Sequence, residues 1–473
     1  MKLQGKHILI VGLGESGLAM ARWLHRQGAH ISIADSRQHP PAYQQLRAEI
    51  PGLRIHCGAF QAEPFAAAEL VALSPGVDPC SLPATGQPVI SEIDLFAWGI
   101  AEFAPHSKVI GITGSNGKTT VTALTAYLLN HASADKSLSA VACGNISPSA
   151  LSALMQALDQ GHMPEVWVLE LSSFQLESTR YWRADAATLL NISEDHLDRH
   201  QGQLATYAAA KARIFALPPG LTGQDTAPEQ AGVMVLNRDD PHSLAAGAGY
   251  AGRRVLRFGS GKASGPEDYG IAEAAIWRGQ QRLIGLAELP LHGLHNACNI
   301  QAALALCAAI GVGAEYLLPA LQSFKGLPHR LELVATRRAV DYFDDSKGTN
   351  VGATLAAIQG LHRPVAIILG GEGKGQDFTP LRAALAQHGR AVALIGRDAK
   401  LIAEAIAGCG VEQRLCRDMR ESVDWLSSKA EAGDAVLLSP ACASFDMYQN
   451  YVQRAQAFIE AVNQLQPDSK EAA

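Results

Sequence analysis

The chain has 473 residues, of which 48% are hydrophobic and 18% charged, and a formal net charge of -6. At roughly 150 residues per domain this length predicts about three domains, and the balance of apolar and charged residues excludes a disordered chain. The mild acidity offers no basic field for nucleic acid, while single cations remain available for phosphates on small molecules.

The opening segment MKLQGKHILIVGLG runs from an apolar stretch straight into a glycine turn, so it does not read as a signal peptide. No uncharged apolar run reaches membrane-spanning length, so no membrane insertion is expected. Eight cysteines without a C-x-x-C pair predict a reducing, cytoplasmic setting and no structural zinc. Cys442, in SPACAS, reads as a small buried residue.

In chain order, residues 7–12 (HILIVG) predict a strand, 18–26 a helix, 30–34 a second strand and 70–74 a third before a Pro-Gly turn. This is the rhythm of a βαβ domain. Residues 89–103 predict a helix, and 108–113 restart the pattern with a strand that opens into SNGKTT. Strands follow at 166–170 and 186–191, and a helix at 206–215. Residues 218–232 and 259–270, rich in Gly, Pro and polar residues, predict surface loops. An alanine- and leucine-rich helix is expected over 296–310, and SFKGLPHR marks a domain junction. Strands at 365–369, 391–395 and 435–438 run into GGEGKG, GRD and SPACAS. Three such blocks predict parallel sheets with functional loops at the carboxyl ends of their strands.

The strongest local signal is TGSNGKTT at 113–120. A glycine-rich turn lets backbone N–H groups crowd around phosphates, Lys118 adds a point charge, and Thr119 offers a hydroxyl to magnesium at the start of a helix. The strict G-x-x-x-x-G-K-[ST] pattern is missed because Ile112 stands at the first glycine position. Glu170 ends a strand where a magnesium-facing carboxylate is expected. His196, in NISEDHLDRH, either completes that site or is a hydrogen-bonded loop histidine, and Lys211 reads locally as a solvent-facing lysine on a helix of small residues.

Gly12, Gly14 and Gly17 form G-x-G-x-x-G after the first strand, and Asp35 follows Gly12 by 23 positions, placed to bond a ribose hydroxyl. A nicotinamide-linked dehydrogenase is the competing reading, but it leaves the second phosphate loop unexplained. A nucleotide-carrying substrate beside ATP accounts for both.

Taken in order, GLGESG, SPGV, GITGSNGKTT, CGNI, LELSSFQLE, NISEDHLDRH, AAAKARIF, GLHNACN, GLPHRLE, DDSKGTN, GGEGKGQDF and LLSPACASFD closely resemble the Mur ligase family, at its D-glutamate-adding branch, through nearly the whole chain. The resemblance implies an α/β protein with a Rossmann-like N-terminal domain (1–98), a central P-loop ATPase domain (99–326) and a Rossmann-like C-terminal domain (327–473). It implies ATP-dependent joining of D-glutamate to UDP-N-acetylmuramoyl-L-alanine through an acyl phosphate, in a bacterial cytoplasm, with two magnesium ions.

By the same resemblance, Gly14, Glu15, Ser16, Asp35, Arg37, Ser74 and Asn145 fall at UDP-substrate contacts. Gly114, Ser115, Asn116, Gly117, Lys118, Thr119, Thr120, Asn296, Asn299, Arg330 and Asp345 fall at ATP contacts. Lys118, Glu170, His196 and Lys211 are the implied catalytic set, and Thr119, Glu170, His196 and Lys211 the magnesium ligands, with Lys211 N6-carboxylated so that a cation becomes a carboxylate-like group. Lys347, Thr349, Lys374, Ser444 and Tyr451 match the amino-acid site, Tyr451 standing where phenylalanine is common.

Overall fold

The computed structural model describes residues 2–84, 86–219, 232–250 and 253–465. The chain forms two compact units, one of Met1–Ile192, His196–Leu283 and Ile300–Leu321, the other of Ser193–Asp195, Ile284–Asn299 and Gln322–Ala473. Most of the loop expected over 218–232 lies outside the described residues.

The first sheet contains β1 (His7–Val11), β2 (His30–Asp35), β3 (Arg54–Cys57), β4 (Leu70–Leu73) and β5 (Val89–Ser91), in the order β3-β2-β1-β4-β5 with every pairing parallel. Parallel strands covered on both faces are apolar throughout, as the fully buried β4 is. Strand order reverses between β1 and β4, and at such a switch point the carboxyl ends open a crevice for a ligand. The GLGESG turn and Ser74 follow those two strand ends.

The second sheet contains β6 (Lys108–Thr113), β7 (Ala140–Gly144), β8 (Val166–Glu170), β9 (Ala186–Leu189), β10 (Val233–Asn237) and β11 (Val255–Phe258), in the order β11-β10-β9-β6-β8-β7. Its chain reversal occurs around β6, so the phosphate loop after β6, Glu170 at the end of β8 and Asn191 beyond β9 come to one end of the sheet. The helices Glu15–Arg26, Glu92–Phe103 and Ala150–Gln160 share a core with both sheets, where Phe96 meets Trp167 edge to face at 5.3 Å.

Two expectations are corrected here. Residues 89–103 are not one helix: Val89–Ser91 pairs with β4 and the helix begins at Glu92. Ser91 is its N-cap, accepting from Asp94 N while the Asp94 carboxylate accepts from Ser91 N, and this reciprocal cap fixes the boundary. The sheets are also not all parallel. β12 (Tyr269–Ala272), β13 (Ala275–Arg278) and β14 (Gln281–Gly285) form a three-stranded sheet in that order, and β12 pairs antiparallel with β13 through a two-residue turn at Glu273 and Ala274, both at positive φ. Tyr269 and Gly270, assigned by sequence to a loop, open that sheet.

The second unit holds β15 (Glu332–Arg337), β16 (Val340–Asp344), β17 (Val365–Gly370), β18 (Gly389–Ile395), β19 (Glu412–Leu415) and β20 (Ala435–Leu438), in the order β15-β16-β20-β17-β18-β19. Only β15 is antiparallel to its neighbour. Along β17, Val365, Ile367 and Leu369 enter one core and Ala366 and Ile368 the other, so both faces are covered. The neighbouring ends of β16, β20 and β17 carry DSKGTN, SPACAS and GGEGKG. Among the described residues no helix is long and apolar enough to cross a membrane.

Candidate active site

The glycine turn after β1 is shaped by close approach. Gly12 has φ +89°, and a Cβ on Gly17 would stand 1.9 Å from the Gly12 carbonyl oxygen, so neither position accepts a side chain. A Cβ on Gly14 would meet nothing within 4 Å, leaving open space at the start of the helix Glu15–Arg26, where backbone N–H groups favour an anion. Ser74 Oγ donates to Gly12 O at 2.7 Å. Asp35 accepts from Leu13 N at 2.7 Å and from Arg37 through its backbone and guanidinium. Burial alone would raise the Asp35 carboxyl, but these hydrogen bonds and the guanidinium charge bring it below its ordinary value. Asp35 therefore braces the turn and orients Arg37.

In the phosphate loop Gly114 has φ +152° and Gly117 φ +84°, the latter capping the helix Lys118–Asn130. Ser115 N donates to Asn191 O, and Asn116 N to Asn191 Oδ1, so the residue beyond β9 holds the loop open. Lys118 Nζ donates to the carbonyls of Gly114 and Ser115 at 2.8 and 2.9 Å. Lys211 Nζ reaches the same Gly114 carbonyl at 2.9 Å. Lys211 is 2% exposed, which overturns its local reading as a solvent-facing lysine. Tyr207, one helical turn earlier, lies under Lys211 Nζ with 4.7 Å to the ring centroid, and its hydroxyl accepts from Ser115 Oγ at 3.2 Å. Sequence reasoning passed over Tyr207, although the i,i+4 spacing puts it on the face of Lys211.

Glu170 is buried, and Oε1 accepts from Asn145 Nδ2 at 2.9 Å, while Asn145 N donates to Glu170 O. Its other oxygen, Oε2, is buried with no hydrogen-bond partner among the described residues. An orphaned carboxylate oxygen at a strand end beside a phosphate loop fits a hard cation, and the half-buried Thr119 carries a hydroxyl in the first turn of the helix that follows that loop. His196 is exposed at φ +52°, its ring edge against Phe174 at 5.1 Å. Glu15 is exposed, Ser16 partly buried and Thr120 buried at the starts of their helices.

In the second unit, Asn296 Nδ2 donates to His292 O, and Asn299 Nδ2 to Asn296 Oδ1 at 3.1 Å, so the pair is ordered as one polar strip. Asp345 accepts from Ser439 Oγ at 2.6 Å. Surrounding protein pushes its carboxyl up to about 7, a rise that the Ser439 hydrogen bond and the Arg330 charge oppose. Lys347 Nζ lies 3.9 Å from the centroid of the Tyr451 ring. Thr349 is half-buried in the same DSKGTN loop. Glu372 and Ala443 exchange backbone hydrogen bonds, which sets the loop of exposed Lys374 beside that of buried Ser444.

Two residues in this unit were not singled out by sequence. Arg454, 1% exposed, donates to Ser346 Oγ, Ser346 O and Cys442 O, tying DSKGTN to SPACAS from the helix Tyr451–Asn463. Burial lowers its guanidinium to about 10 against the opposing pull of nearby groups including Cys442 and Tyr448. His329, next to Arg330, bonds Asp344 at 2.7 Å. Neither carries a local signal, since their partners are distant in sequence.

The chain matches three family models: "Mur ligase MurD-like, N-terminal domain" over residues 6–91, "Mur ligase middle domain" over 112–307, and "Mur ligase, glutamate ligase domain" over 329–442. It is 58% identical over 467 residues to the UDP-N-acetylmuramoylalanine--D-glutamate ligase of Dechloromonas aromatica (strain RCB), covering 98% of this chain and 100% of the relative. A protein of the same name from Aromatoleum aromaticum is 50% identical, with 98% of each chain covered. Among solved structures, the MurF ligase of Thermotoga maritima in complex with ADP shares the fold at a TM-score of 0.58 and 17% identity, over 98% of this chain and 96% of that one. With its glycine turn, its phosphate loop and the DSKGTN and GGEGKG loops in the matched segments, this chain belongs to the Mur ligase family.

Proposed function

We propose that this chain joins the amine of D-glutamate to the L-alanyl carboxylate of UDP-N-acetylmuramoyl-L-alanine at the expense of ATP, in the bacterial cytoplasm, as a step of peptidoglycan precursor synthesis. The observation that carries this reading is full-length similarity to D-glutamate ligases in a chain that retains the phosphate loop, the orphaned Glu170 oxygen and the buried Lys211. The three parts are residues 1–98 for the UDP end of the substrate, 99–326 for ATP, and 327–473 for the amino acid and part of ATP.

A carboxylate oxygen of the alanyl group attacks the γ-phosphorus, the bond to the β-phosphate oxygen breaks, and ADP leaves an acyl phosphate. Lys118 and the backbone amides at the start of the helix Lys118–Asn130 hold phosphate oxygens where charge develops. Thr119, Glu170, His196 and Lys211 are the residues to hold a pair of magnesium ions, whose chemistry is neutralisation of phosphate charge. Lys211 supplies an oxygen there only as its N6-carboxylated form, made from the neutral amine and carbon dioxide. The amine of D-glutamate then attacks the acyl carbon, and the tetrahedral adduct expels phosphate.

Gly14, Glu15, Ser16, Asp35, Arg37, Ser74 and Asn145 are assigned to the UDP-sugar. Asn296, Asn299, Arg330 and Asp345 complete the nucleotide contacts. Lys347, Lys374, Thr349, Ser444 and Tyr451 take the amino acid, whose two carboxylates call for cations and hydroxyl donors.

The test is phosphate release from magnesium-ATP and UDP-N-acetylmuramoyl-L-alanine with D-glutamate, L-glutamate or no amino acid. Release that requires D-glutamate, with a matching amide, is expected. Release with L-glutamate alone overturns the stereochemical assignment, and no release overturns the acceptor.

A further inference from the structure

His329 stands in an unusual setting for a loop histidine. Its backbone is left-handed at φ +63°, its N–H donates to Glu332 Oε2 at 2.9 Å, and its carbonyl accepts from Lys347 N at 3.2 Å. Nδ1 lies 2.7 Å from Asp344 Oδ2, whose side chain has 0% exposure against 17% for the imidazole. The other Asp344 oxygen accepts from Ser346 N at 2.9 Å, so the carboxylate is fixed at both ends. The imidazole meets the Tyr451 ring edge to face at 6.1 Å, and Lys347 Nζ lies over that same ring.

Burial pushes the Asp344 carboxyl up, and its hydrogen bonds to His329 and Ser346 N oppose that rise; in the ionised form it only accepts, which puts the proton between the pair on Nδ1 and the lone pair on Nε2. Nε2 has no hydrogen-bond partner among the described residues. The charged groups around the ring are Asp344 and Glu332, with Arg330, Asp345 and Lys347 close along the chain. A buried carboxylate fixed at both ends gains a counter-charge when the imidazole beside it carries a second proton.

We propose that His329 is the base that takes a proton from the ammonium of the incoming amino acid, and that Asp344 is the positioning residue that sets its tautomer and steadies the imidazolium. The inference rests on the ligase reading above and adds the route of the proton. An ammonium has no lone pair, so one proton must leave before attack, and Nε2 receives it. The freed lone pair forms the C–N bond, the C–O bond to phosphate breaks with its electrons going to the leaving oxygen, and the second amine proton departs with phosphate. Of the three protons on the ammonium, one remains on the amide.

Hydroxylamine separates this step from acyl phosphate formation, because it attacks as a neutral amine and traps the acyl phosphate as a hydroxamate without a base. The full-length chain, His329→Gln and Asp344→Asn are compared with magnesium-ATP and UDP-N-acetylmuramoyl-L-alanine, with either hydroxylamine or D-glutamate. For His329→Gln the rate of glutamyl amide formation is expected to fall about 100-fold, in the range of lost acid–base catalysis, and the hydroxamate-to-amide ratio to rise about tenfold or more. For Asp344→Asn, loss of the negative charge is expected to move the acid limb of kcat/KM for D-glutamate to lower pH. An equal fall of hydroxamate and amide in His329→Gln, or an acid limb unmoved in Asp344→Asn, overturns the proposal. Absence of both hydroxamate and glutamyl amide from the unaltered chain sinks the ligase reading itself, and this inference with it, whereas amide without hydroxamate leaves the ligase reading standing and overturns the separation of the base step.

Discussion

His295 packs at the start of the helix Leu294–Ala309 so closely against the Gly360 backbone that a Cβ on Gly360 would stand 2.8 Å from its Nδ1. Burial lowers its pKa from 6.5 to about 4, opposed by a hydrogen bond to the Ala356 backbone. The folded chain thus keeps this imidazole neutral where the unfolded chain protonates it. Stability from His295 is complete above pH 6.5 and is lost as pH falls towards 4, by on the order of 3 kcal/mol. Asp345, raised to about 7, works the opposite way, gaining stability as pH falls below 7. Comparing urea unfolding of the unaltered chain and His295→Gln from pH 7 to 4 isolates the histidine, and the variant should show the weaker loss on acidification. Glycine and lysine motifs at this scale were legible because their chemistry is local: Gly12, Gly17 and Lys118 act through their own backbone or neighbours. His295 and His329 were not, and Lys211 was marked only through the family resemblance, since their burial depends on segments far along the chain.

The helix Glu92–Phe103 illustrates how one capping group sets an element. Asp94 has no exposed surface and serves as N3 of the capping box, and its other oxygen accepts from Arg180 N at 2.8 Å and Tyr181 N at 2.5 Å. Asp94→Ala removes half of the cap and leaves two amides without their acceptor. The expected cost is about 3 kcal/mol, read as a lower denaturation midpoint with an unchanged slope for that transition. The S-x-x-D pattern was present in the sequence, and the apolar run VISEIDLFAWGI obscured it by suggesting helix from its first residue. What made Val89–Ser91 a strand was pairing with Leu70–Leu73, a partner that helical periodicity cannot reveal. The small three-stranded sheet was missed for a similar reason: its strands of four and five residues carry too few alternations to stand out.

At the scale of the molecule, each of the three large sheets turns the carboxyl ends of neighbouring strands into one set of loops: GLGESG with SPGV, GSNGKTT with Glu170 and Asn191, and DSKGTN with SPACAS and GGEGKG. The two compact units have cores of their own, among them one around Trp167 and one around Leu9, Val11 and Phe65 in the first unit, and two flanking the sheet of the second. Independent cores do not unfold as one cooperative body, so calorimetry of the unliganded chain is expected to give a calorimetric enthalpy above the van't Hoff value. A single transition with equal enthalpies would show the units to be thermodynamically fused. The sequence by itself determined the succession of strand, loop and helix, the parallel character of the main sheets and the two glycine turns after β1 and β6, because strand-end motifs are contiguous and carry their own backbone chemistry. Only the tertiary structure decided that Lys211 is buried beside the phosphate loop, that one Glu170 oxygen is left without a partner among the described residues, and that Asp344 bonds His329. Each of these depends on which strand ends become neighbours, and that is fixed by sheet order, not by distance along the chain.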